Sequence, residues 1–73
     1  MNIIKNYDEE RYLIDRVIKT ILSCKNLNQL VVAENYLQLA MNRMEKLWPG
    51  HKIIAAQFGL DMSRILLHKL NEI

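Results

Sequence analysis

From Leu30 to Leu47 apolar residues recur at alternating steps of three and four: Leu30, Ala33, Leu37, Ala40, Met44 and Leu47. A strand cannot present that set on one face, because its side chains alternate with a period of two. The spacing dictates a helix, and its regularity is that of a packing seam between helices. Alanines alternate with larger residues, which lets a neighbour approach closely. Two flanks widen the seam: Val32, Tyr36 and Leu39 on one side, Val31, Met41 and Trp48 on the other. A helix apolar over most of its circumference is buried on several sides, by flanking helices or by another subunit.

The ends of this helix are marked. Asn26 is a good N-cap, and Gln29 completes an N-x-x-Q capping box. Pro49 cannot continue the ladder and Gly50 suits a left-handed turn, so the helix spans about 27–48. Upstream, Ile14, Val17, Ile18, Ile21 and Cys24 form one apolar stripe, with Leu13 and Leu22 beside it. This predicts a helix over about 7–23, with Asn6 as its cap and Asp8, Glu9 and Glu10 at the positive end of its dipole. The short link "SCKN" makes the two an antiparallel hairpin. Downstream, residues 52–71 read as a third helix. Ala56, Leu60, Ser63, Leu67 and Leu70 make its stripe, with Ile53, Phe58, Met62, Ile65 and Leu66 around it. Gly59 costs about 1 kcal/mol in a helix interior, and Asp61 could cap a new helix. One bent helix and two short ones both fit. The fold expected is all-α: a single three-helix domain, 1–73, built on the hairpin.

A chain of 73 residues buries a thin core and often needs a staple or a partner. Cys24 is the one cysteine, so no internal disulfide can form. Cys24, His51 and His68 stand at no ligand spacing, so no metal site is expected. Helix packing or homo-oligomerisation is left to supply stability. The net charge of +2 is too mild to mark a polyphosphate binder. No stretch approaches the ~18 apolar residues of a membrane span, the opening "MNIIKNYDEE" is unlike a signal peptide, and the free cysteine suits a reducing cytoplasm.

Catalytic chemistry has little to work with. Neither histidine has an acid or thiol at a catalytic spacing. No phosphate loop, nucleophile elbow or Cys/His cluster occurs. No enzyme activity and no cofactor are expected.

The sharpest local motif is "IIAAQFGLDMSRI", residues 53–65, which resembles a helix-turn-helix core. Ala55, Gly59, Leu60 and Ile65 take the characteristic places, and Ile54 and Phe58 would pack between the helices. The resemblance implies a DNA-binding regulator with Ser63, Arg64, His68 and Lys69 toward DNA. Leu66 and Leu67 depart from the pattern, since a reading helix is normally polar there. Only Lys52, Arg64 and Lys69 could neutralise phosphates.

A second resemblance covers residues 17–44. Small uncharacterised phage proteins carry a helix ending in Ser-Cys, a polar turn and a Q-L-x-x-A helix. Ser23, Cys24, Asn26, Gln29, Leu30 and Ala33 are similar to that pattern. The resemblance implies an accessory factor of a phage or mobile element, acting in the bacterial cytoplasm by binding a macromolecule, for instance against host defence.

The first expectation is therefore a non-enzymatic helical interaction protein, homo-oligomeric, binding a protein partner through Tyr36, Leu39, Met41, Met44 and Trp48. The DNA-binding regulator is the alternative. A third is a helical oligomer that sequesters small nucleotides through Tyr7, Arg11, Tyr12 and Lys52.

Overall fold

The structure, a computed structural model, describes residues 3–73. It holds three helices: α1 (Ile3–Leu22), α2 (Leu27–Leu47) and α3 (Lys52–Glu72). Short links make consecutive helices antiparallel neighbours, and every pair of helices is in contact. The result is an all-α three-helix bundle of 42 × 18 × 15 Å. A 21-residue helix is roughly 32 Å long, so the bundle is long and thin.

The α2 seam lies where its spacing puts it. Leu30, Ala33, Leu37, Ala40, Met44 and Leu47 are all buried, Met44 completely. From α1 come Val17 and Ile21, from the link that follows it Cys24, and from α3 Ala55, Phe58 and Met62. Complete burial of a side chain such as Ile21 or Met44 is worth about 1.5–3 kcal/mol. Cys24 is a small core residue whose thiol donates to the Thr20 carbonyl at 3.2 Å.

The capping of α2 follows its sequence closely. Asn26 is extended, and its side chain accepts from the Gln29 N–H at 2.9 Å. Gln29 reaches back to accept from the Lys25 N–H, one residue earlier than the usual box partner. Replacing Asn26 by Ala leaves a helical N–H without its acceptor. The expected loss is about 1 kcal/mol, read as a lower urea midpoint at constant slope.

Two expectations need correction, and one open choice is decided. α1 begins at Ile3, not near Tyr7, so Asn6 lies inside the helix and Asp8, Glu9 and Glu10 are not in its first turn. Asn6 caps another helix: its Nδ2 donates to the Leu47 carbonyl at 3.2 Å, where α2 has run out of backbone donors. α3 is one continuous helix through Gly59, neither broken there nor restarted at Asp61. Finally, Ala56, Leu60, Ser63, Leu67 and Leu70 do not face the core. They are exposed, while Ala55, Phe58, Gly59 and Met62 point inward.

Gly50 makes the second turn at φ +83°, a conformation that L side chains avoid. The Trp48 indole bridges this turn to α1, its ring centroid 5.0 Å from that of Tyr7.

Candidate interaction surface

The residues expected at an interface do not share one face. Met44 is fully buried among the three helices and cannot reach a partner. Met41 is half-buried and lies over Gly59 of α3. Trp48 is half-buried against Tyr7, its Nε1 enclosed without an acceptor. Tyr36 and Leu39 border a shallow cleft beside Leu13 and Arg43 on the α1 side, and of the five only Leu39 is openly exposed, at 68%. The surroundings of this cleft are tied by an Arg43–Glu9 ion pair between α2 and α1. Exposed as it is, that pair contributes at most about 1 kcal/mol.

The DNA-facing set fares differently. Ser63, Arg64 and His68 are exposed and Lys69 is half-buried, all on the unbroken α3. His68 and Lys69 both lean on Glu72, at 3.3 and 3.6 Å. A helix-turn-helix needs a turn at Gly59, and the chain makes none. The resemblance of residues 53–65 is thus a likeness of packing residues without the geometry that aims a reading helix.

The nucleotide set is likewise scattered. Tyr7 and Arg11 share a shallow cleft with Asp8, Glu10 and Asp15, whose carboxylates oppose a phosphate. Lys52 heads α3 and Tyr12 is exposed on α1. Among the described residues no group of three His, Cys, Asp or Glu side chains is placed to hold a metal ion. No described helix is long and apolar enough to cross a membrane.

The surface that stands out was assigned to the core by its periodicity. Ile53, Ala56, Leu60, Ser63, Leu67 and Leu70 repeat the three-four alternation of the α2 seam on the outside of α3. Ile53 is 77% exposed, Leu60 57%, Leu67 60% and Leu70 44%. At the C-terminal half of α3 the stripe continues onto α2, where Leu27 and Val31 adjoin Leu67 and Leu70 around a small hollow. Each helix therefore carries a three-four stripe, and the core takes in those of the first two but not this one. Two details explain which face of α3 is inside. Phe58 and Met62 give the inward face more bulk, and Gly59 lets α3 approach α2 at Met41. The outward stripe offers alanine and serine at the matching places.

On the other side of α3 an open trough runs along α1. It is lined by Ile14, Ile54, Phe58 and Met62, with Glu10, Gln57 and Asp61, and by Ile53 at the start of the outward stripe. It is shallow, and its apolar lining belongs mostly to residues already packed into the core.

Compared with family models, with curated proteins and with solved structures, the chain matches none.

Proposed function

We propose that this chain is a small non-enzymatic interaction protein whose working surface is the outer face of α3. One observation carries this reading: a three-four stripe from Ile53 to Leu70, apolar at every position but Ser63, lies exposed on a regular helix. A helix in water gains nothing from such regularity on its solvent side. Packed against another helix, the same spacing interlocks side chains into the gaps of the partner. The contiguity with Leu27 and Val31 widens the stripe into a patch of the kind that marks a protein interaction site. The partner contacted is a protein, since apolar side chains dominate and the phosphate-binding groups are few. The resemblance of residues 17–44 to small phage proteins supports an accessory role in the bacterial cytoplasm.

The test is photocrosslinking from a photoreactive residue placed at Ser63, in the middle of the stripe, with Asn42 of α2 as control. The expected result is a discrete adduct from Ser63 and none from Asn42. Uncrosslinked chain alone from Ser63, with helicity intact, would sink the reading.

A further inference from the structure

Resting on that reading, we infer that the outer face of α3 is covered by α3 of a second copy of this chain, lying antiparallel across a two-fold axis between Asp61 and Met62. The stripe is complementary to itself in this orientation. Ile53 comes opposite Leu70 of the second copy, Ala56 opposite Leu67, and Leu60 opposite Ser63. Each small residue meets a large one, so the inner layers fill without a void and without a clash. A parallel pair would set alanine on alanine, serine on serine and leucine on leucine, alternately hollow and crowded.

The helix dipoles favour the same arrangement, since they oppose one another only in the antiparallel case.

The apolar patch is continuous on each copy, because Leu27 and Val31, 59% and 52% exposed, join the stripe at Leu67 and Leu70. Leu27 and Val31 stand beside Leu67 and Leu70, where Ile53 of the second copy arrives. Ile53 has the largest exposed fraction of the exposed large hydrophobics and gains the most from this contact. Such an interface is isologous, and it closes at two copies without leaving a further sticky edge.

The test combines size with orientation. The parent chain should sediment as a dimer, and Leu60→Asp should weaken association by roughly 100-fold or more by placing a carboxylate in two symmetric layers. In a Cys24→Ala background, Ile53→Cys and Leu70→Cys chains are made separately, mixed under reducing conditions and then mildly oxidised. The mixture should yield a covalent dimer, while each variant alone should not, because the two copies of either position lie about 25 Å apart along the axis. A covalent dimer from Ile53→Cys alone would overturn the antiparallel register and leave the α3 face standing. A monomeric parent whose Ser63 adduct differs from twice the chain mass would overturn the second copy as occupant, again leaving the face. A dimer indifferent to Leu60→Asp would overturn both.

Discussion

Met44→Asp unfolds the chain; it does not release a folded subunit. Met44 lies in the α2 seam, toward its C-terminal end, with none of its surface exposed. Truncating such a residue to alanine costs about 2–5 kcal/mol through lost burial and the cavity left behind. Aspartate adds a carboxyl group in an apolar enclosure, which must either lose its charge or drag water inward. The combined cost is about 5 kcal/mol or more. A chain of this size has roughly 4–10 kcal/mol in all. Circular dichroism of Met44→Asp should therefore show most of the helicity gone at room temperature. Leu39→Asp makes the same chemical change five residues earlier, at an exposed position, and should shift stability by only about 0.5 kcal/mol. A folded, monomeric Met44→Asp would mean that Met44 belongs to an interface between chains and that the packing of α2 is wrongly described.

The contrast shows what periodicity conveys and where it stops. The α2 seam was legible to the residue because its regular three-four stripe is also the face turned to the other two helices. Val17 and Ile21 of α1 were legible for the same reason. In α3 the spacing was just as regular, and it named the wrong side. Three-four spacing states that residues share a face; it does not state what covers that face. The deciding facts were tertiary: the bulk of Phe58 and Met62, and the absence of a side chain at Gly59. Asn6 carries a similar lesson. Its cap chemistry was visible in the sequence, but the helix end it serves lies 41 residues away, at Leu47. As for the expected interface residues, Leu39 is exposed, whereas Met41, Met44 and Trp48 are occupied by contacts within the chain.

Gly59 decides how α3 is turned, and enlarging it should have the second largest effect. A Cβ at this position would stand 2.6 Å from Met41 Cε and 2.8 Å from Met41 Sδ. Both atoms are the far end of a flexible side chain that is only half-buried. Gly59→Ala therefore needs one rotation at Met41 and gains about 1 kcal/mol of helix propensity, so its net effect is small. Gly59→Leu is a different matter. Three further carbons point at α2, and no rotation of Met41 clears them all. The helices must part or α3 must turn, which costs about 3 kcal/mol by overpacking. Cutting away the obstructing side chain should return much of that loss, so Gly59→Leu with Met41→Ala should be more stable than Gly59→Leu alone. Equal destabilisation with and without Met41 would mean that the crossing is not set by this contact. The consequence reaches the outer face as well. A turned α3 moves Leu60 and Leu67 off their common line, so Gly59→Leu should weaken self-association even in the fraction that remains folded. Gly59→Ala should leave it unchanged.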